Sequence, residues 1–259
     1  MVSTTTLAEP PASVPSTARI PVVFSMGKVG STAIYEALIR AGRHCYHCHS
    51  LDRSFLFQRL QRDVAEGRLP NPDICRSMEI VRDVEAGRRP YIFITGVRDP
   101  LARNLSAFFQ NIVRFVPEAE RPDAVSPVAV FDRFLQAYNH DLPLTWFDTV
   151  FAPASGIDVY ARPFDPASGI QDSDRHLLLR VDVDDRRKAD ALQAAVGLAL
   201  TLHRDNEGHR KGYAELYSRV KRLACFDAGF LDRLYDSRYA RHFWTDAERE
   251  RMYNAWRRG

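Results

Sequence analysis

Two stretches gather the residue types that hold anions. The first is Gly27-Lys28-Val29-Gly30-Ser31-Thr32, which follows the apolar run Val22-Val23-Phe24. Glycines at 27 and 30 admit backbone angles closed to other residues, so successive amides of this stretch can turn inward on an anion, and Ser31 and Thr32 stand where a helix would begin. Lys28 adds a mobile positive charge. The second is Arg98-Asp99-Pro100-Leu101-Ala102-Arg103-Asn104-Leu105-Ser106. Here Arg98 can fork onto a phosphate, and Ser106, two helical turns further on, can offer a hydroxyl to the same group. Between the two lies His44-Cys45-Tyr46-His47-Cys48-His49. A histidine at the carboxyl end of a strand can act as a general base, which makes His49 the first candidate, His47 the second and Asp52 the next to consider.

Other chemistries fit these spacings less well. The triphosphate loop G-x-x-x-x-G-K-[ST] sets its lysine directly before the hydroxyl residue, whereas Lys28 precedes the second glycine. Asp182, at a later strand end, is the acid a nucleotide kinase or NTPase would need for Mg²⁺. Strand alternation turns Cys45, His47 and His49 to one side, a set that could ligate zinc. A site on one strand needs a further ligand from elsewhere, and no partner cluster is visible, so no metal is expected.

The elements that would position these residues alternate. A strand at Val22–Phe24 leads through the glycine loop into a helix over Ala33–Ala41, ended by Gly42. Arg43–Cys48 reads as a second strand, 53–66 and 73–86 as two amphipathic helices around Pro70-Asn71-Pro72, and Tyr91–Val97 as a buried strand. Asp99 and Pro100 suit a helix start. Further on, 115–127 reads as a loop and Val128–Tyr138 as a helix. Leu144–Asp148 reads as an aromatic turn, Asp158–Phe164 and His176–Asp182 as the fourth and fifth strands, and Arg186–Leu202 as a helix. Thr245-Asp246-Ala247-Glu248 is a capping box that opens the last helix, Glu248–Arg257. This order predicts an α/β fold: a P-loop-type parallel sheet of about five strands, helices on both faces, and a helical C-terminal part.

Lys-x-Gly-Ser-Thr after a strand, followed in order by R-D-P-x-x-R-x-x-S-x-F, resembles the nucleotide-binding segments of sulfotransferases that use 3'-phosphoadenylyl sulfate (PAPS). The histidine-rich strand end, the Trp146-Phe147-Asp148 turn and the tyrosine-rich tail extend the likeness from about Ile20 to the end. They resemble bacterial sulfotransferase-like proteins grouped with capsular polysaccharide synthesis. Where many sulfotransferases carry proline before the loop lysine, this chain carries Gly27. The resemblance implies that Gly27, Lys28, Val29, Gly30, Ser31 and Thr32 hold the 5'-phosphosulfate and that Arg98 and Ser106 hold the 3'-phosphate. Arg210-Lys211-Gly212 is similar to the R-K-G loop that folds over that phosphate. It implies metal-free, in-line transfer of a sulfuryl group to a hydroxyl acceptor, with a carbohydrate as the expected class. Lys28 would stabilise the leaving oxygen, and His49 or His47 would take the acceptor's proton. Trp146, Phe147 and Tyr160 are candidates for an acceptor wall. The rival readings are a P-loop kinase or NTPase and a catalytically silent nucleotide-binding scaffold.

Composition bounds the rest. The chain has 259 residues, is 45% hydrophobic and 27% charged, and carries a formal charge of +3. That is enough chain for one domain with its own core, expected over 20–259, and too little charge for sequence-blind nucleic-acid binding, since acids are interspersed with the basic residues. Residues 1–19 are rich in Ser, Thr, Ala and Pro and read as a disordered tail. No apolar run approaches the ~20 residues that would span a bilayer. The start lacks the pattern of a secretory signal, and Cys45, Cys48, Cys75 and Cys225 show no disulfide framework. A cytoplasmic protein is the expectation.

Overall fold

A computed structural model describes residues 19–87, 91–121, 123, 125–202 and 212–257. Five strands form one sheet: β1 (Ile20–Phe24), β2 (Tyr46–Cys48), β3 (Tyr91–Val97), β4 (Ile170–Asp172) and β5 (His176–Arg180), in the order β2-β1-β3-β5-β4. The first four in that order run parallel, and β4 is an antiparallel edge. The helices are α1 (Ser31–Arg40), α2 (Arg53–Ala65), α3 (Pro72–Glu85), α4 (Pro100–Gln110), α5 (Ile112–Phe115), α6 (Pro127–Ala137), α7 (Leu142–Trp146) and α8 (Ala152–Ser155). They continue with α9 (Asp185–Val196), α10 (Ala214–Leu223), α11 (Ala228–Tyr235), α12 (Arg238–Phe243) and α13 (Asp246–Arg257). The last four make the C-terminal part helical. None of the described helices is long and apolar enough to cross a membrane.

β1 is apolar throughout and β3 apolar but for Thr95, because both faces of the sheet are covered. Val23, Ile94, Leu177 and Leu179 meet Ile34 and Leu38 of α1 and Leu192 and Val196 of α9 on one face. Val22, Phe24, Phe93 and Leu178 meet Trp146, Phe147, Phe151, Tyr239 and Phe243 on the other. A third cluster, without strands, packs α4 against α6, α10 and α11 through Leu105, Phe108, Phe134, Val220 and Leu231.

The chain departs from the sequence reading in places. Asp158–Phe164 is not a strand. The Asp158 carboxylate accepts the Tyr160 amide at 2.8 Å and starts a short 3-10 turn at Val159–Ala161, and Pro163 has no amide to donate to a ladder. The fourth strand is instead Ile170–Asp172, which turns back through Ser173–Arg175 onto β5, with the Ser173 amide donating to the His176 carbonyl at 2.9 Å. The sheet is therefore parallel except for this edge. β2 begins only at Tyr46. The stretch expected to be a loop at 115–127 contains a 3-10 turn at Pro117–Glu120, and α9 stops at Gly197, whose φ of 74° takes the left-handed form. The expected tail, except for Arg19, lies outside the described residues.

Candidate functional site

From β1 the chain crosses through α1 to β2 on one side, then returns through α2 and α3 to β3 on the other. The carboxyl ends of β1 and β3 therefore flank a point where the winding reverses, the place where open α/β sheets form a crevice. Both stretches, 27–32 and 98–106, open there.

The 25–30 loop is held in an unusual path. Gly27, Lys28 and Gly30 have φ of 76°, 63° and 76°. Lys28 is the one non-glycine residue with positive φ among the described residues, a conformation that costs on the order of 1 kcal/mol and persists only where the surroundings impose it. Gly30 stands before α1 without a side-chain cap, so the first amides of the helix are not taken by a capping side chain. Val29 is fully buried in the core, which leaves only its backbone available to a ligand. Ser31 is buried and Thr32 half-buried at the first turn.

Two arginines from the second stretch hold this path. Arg98, half-buried at the end of β3, donates from Nη1 to the Lys28 carbonyl at 3.2 Å, and its own backbone is clasped by the Tyr239 hydroxyl, which accepts from the amide and donates to the carbonyl. Arg103 projects from the first turn of α4 beneath the loop. Its Nε donates to the Gly27 carbonyl at 3.2 Å and its Nη2 to the Met26 carbonyl. Asp99 caps α4 by accepting the Leu101 and Ala102 amides at 2.8 and 2.9 Å, and it receives the Tyr235 hydroxyl and Trp256 indole from the C-terminal helices. Burial pushes its carboxyl above the usual range, opposed by those hydrogen bonds.

The histidines separate by depth. His49 is exposed just beyond β2, and its Nδ1 lies 2.9 Å from the Ser25 carbonyl, to which it donates. That bond fixes the tautomer and leaves Nε2 as the acceptor, the form a general base requires. His47, half-buried, stacks on Tyr35 with centroids 5.2 Å apart and meets Ser31 Oγ through Nε2 at 3.2 Å. Burial, aided by the nearby His49, lowers its pKa to about 4. It is a neutral ring tied to the start of α1, with His49 edge-on at 4.8 Å in front of it.

Ser106 is half-buried on α4, about 9 Å along the helix from its first residue, Pro100, at 1.5 Å per residue. Beyond it a groove of about 520 Å³ runs past Phe109, Gln110, Arg114, Gly212 and Tyr213. Tyr217 joins the two ends: it packs edge-on to Phe109 at 5.0 Å, and its phenol, raised by burial, is pulled back by the neighbouring Arg98. Gly212 thus borders the same side of α4 as Ser106, whereas Arg210 and Lys211 lie outside the described residues.

No protein family, curated protein or solved structure matches this chain.

Several candidates find other roles. Trp146 and Phe147 are 2% and 1% exposed within the sheet-face core, so they do not form an acceptor wall. Tyr160 is half-buried under Arg238, whose guanidinium carbon stands 4.0 Å from the ring centre. Asp182 is engaged by Arg180 at 3.0 and 2.5 Å, a pair completed by Glu248. Among the described residues no three His, Cys, Asp or Glu side chains gather as a metal site. Cys45 packs with Val23, Ile34 and Leu38, and burial raises its thiol pKa to about 11.

Three residues escaped the sequence reading. Ser25 is buried and supplies the carbonyl that orients His49. Arg103 stood inside the quoted motif without a role, although a charged residue among Leu101, Asn104, Leu105 and Phe108 on a buried helix was the signal. Gly96 was the other: a glycine within an aromatic and β-branched strand marks a close backbone approach. A Cβ there would lie 2.4 Å from the Val29 carbonyl oxygen, where the loop leaving β1 crosses over β3.

Proposed function

We propose that the chain transfers a sulfuryl group from PAPS to a hydroxyl acceptor, with a carbohydrate as the expected class. The observation that carries this reading is the pairing of two anion-holding strand ends at one crevice, joined by the Arg98 contact to the Lys28 carbonyl. A donor with two separated anionic groups fits that layout: one at the amides of the 27–32 loop, the other along α4 towards Ser106 and the Gly212 groove. Neither Arg98 nor Arg103 forms an ion pair with a carboxylate among the described residues, which leaves positive charge to meet such groups.

PAPS would supply the activated sulfuryl group. The acceptor oxygen forms a bond to sulfur as the bond from sulfur to the phosphate oxygen breaks, and the acceptor's proton passes to His49 Nε2. Charge grows on the departing phosphate oxygen, where Lys28 and the amides at the start of α1 oppose it. Ser25 holds His49 in the proton-accepting tautomer, and His47 braces Ser31 from behind. The acid a triphosphate enzyme would use, Asp182, is committed to Arg180, which favours the metal-free reading over an NTPase.

Melting the full chain with adenosine 3',5'-bisphosphate without metal, and separately with ATP and Mg²⁺, tests the class. The bisphosphate alone should raise the midpoint, and a rise with ATP and Mg²⁺ only would replace this reading with an NTPase. Turnover of labelled PAPS against a panel of hydroxyl acceptors then separates an enzyme from a silent nucleotide-binding scaffold.

A further inference from the structure

We propose that Arg103 is a positioning residue for the 25–30 loop: its guanidinium locks the Met26 and Gly27 carbonyls so that the following amides face an anion, and that anion supplies the negative charge the guanidinium otherwise lacks. This rests on the reading that the loop holds an anionic group.

Arg103 is 3% exposed. Its donors end on neutral acceptors only: the two loop carbonyls, the Asn104 amide oxygen at 3.0 Å and the Tyr138 hydroxyl at 3.0 Å. Among the described residues no carboxylate pairs with it. The other deeply buried arginine, Arg180, carries Asp182 and Glu248 on its fork. Buried charges are as a rule paired or neutralised, and a guanidinium does not give up its proton. Arg103 is thus a cation whose partner the surrounding chain does not provide.

Its surroundings make the need greater. It sits in the first turn of α4, where the helix dipole disfavours a cation. Arg98 stands close enough to disfavour its charge further, adding to the effect of burial. Asp99, the carboxylate that caps the same helix, faces the helix amides, Tyr235 and Trp256 instead. The strained backbone of Lys28 lies between the two arginines, with Arg103 holding the carbonyls before it and Arg98 the carbonyl of Lys28 itself. Loop path and unmet charge therefore trace to the same side chain.

The probe is inorganic pyrophosphate, and the readout is its Kd from the rise in melting temperature of the full chain at fixed ionic strength. Asn104→Asp places a carboxylate at the atom that already accepts from Arg103. Asn104→Ala is its control, because both variants lose the bond from Asn104 Nδ2 to the His140 carbonyl. With an internal counter-charge, the Asp variant should bind pyrophosphate about tenfold more weakly than the Ala variant, and Arg103→Lys, which keeps the charge and loses the fork, should weaken binding similarly. Equal Kd values for the Asp and Ala variants, or an Arg103→Lys chain that binds as wild type does, would overturn the assignment. Should the position-104 variants not fold, exchange of the Arg103 Nε proton in the wild-type chain decides: pyrophosphate should slow it, and an unchanged rate rejects the proposal. A wild-type chain whose melting ignores pyrophosphate also rejects it. One that binds pyrophosphate and fails to turn over PAPS leaves Arg103 in its role and removes sulfuryl transfer alone.

Discussion

Gly96→Ala puts the geometry of the crevice to a direct test. The added methyl carbon would lie 2.4 Å from the Val29 carbonyl oxygen and 3.2 and 3.3 Å from Val29 side-chain atoms. The nearest ordinary carbon-to-oxygen approach is ~3.3 Å, so the loop must move by about 0.9 Å or the strand must bend. Neither partner yields easily. Gly96 is held in register with Leu179 of β5, and Val29 is 1% exposed, packed in the core. Overpacking of this kind costs about 1–3 kcal/mol. The amides after Val29 would also be displaced by about the same distance, enough to weaken two hydrogen bonds to an anion at about 1 kcal/mol each, or roughly tenfold to thirtyfold in Kd. Urea unfolding should therefore show a lower midpoint, and calorimetry with adenosine 3',5'-bisphosphate a weaker Kd, for a fold unchanged by far-UV circular dichroism. A variant that melts and binds as wild type does would refute the view that the loop crosses β3 at a glycine because nothing larger fits.

Other substitutions separate the roles assigned here. Arg98→Ala should weaken bisphosphate binding by about 1.5 kcal/mol or more in calorimetry, as the loss of a charge-assisted contact would, and unchanged affinity removes the arginine from the phosphate. Lys28→Ala should lower kcat for labelled PAPS far more than it weakens bisphosphate binding, because the charge it opposes grows only in the transition state; equal losses make it a ground-state ligand. His49→Ala should slow turnover on the order of 10²- to 10⁴-fold and leave bisphosphate binding nearly intact, while His47→Ala should act mainly through the loop and weaken binding as well; the reverse pattern moves the base to His47. Burial, with Arg162 and Arg175 nearby, lowers the His176 pKa to about 4, so the unfolded chain takes up its proton first as pH falls. The stability tied to neutral His176 is complete above about pH 6.5, declines towards pH 4 and amounts to on the order of 3 kcal/mol for this 4% exposed ring; urea midpoints that do not fall over that window would contradict it.

What the amino-acid order determined by itself was local. The apolar runs at Val22–Phe24 and Tyr91–Val97 are strands because aromatic and β-branched residues suit a sheet covered on both faces. Gly27 and Gly30 mark the loop, Asp99-Pro100 the start of α4, and Thr245 with Glu248 the start of α13, where the amide of each donates to the other's side chain. Spacing of two along a strand also put His47 and His49 on one side, where their rings meet edge-on. Tertiary structure decided whatever depends on residues far apart in the chain. Strand order β2-β1-β3 brings Arg98 to Lys28 and Arg103 to Gly27, seventy and seventy-six residues apart in the numbering, and no local pattern encodes such contacts. It also decided that Asp158–Phe164 turns while Ile170–Asp172 pairs with β5, because a three-residue edge strand owes its form to its neighbour more than to its own propensity. Trp146 and Phe147 are candidates for an acceptor wall by residue type, and only the packing of α12 across the sheet shows which surface they meet. Arg103 carries the sharpest form of the difference: its type and position are plain in the sequence, but that its charge is buried against carbonyls, with no acid paired to it among the described residues, is a property of the folded chain alone.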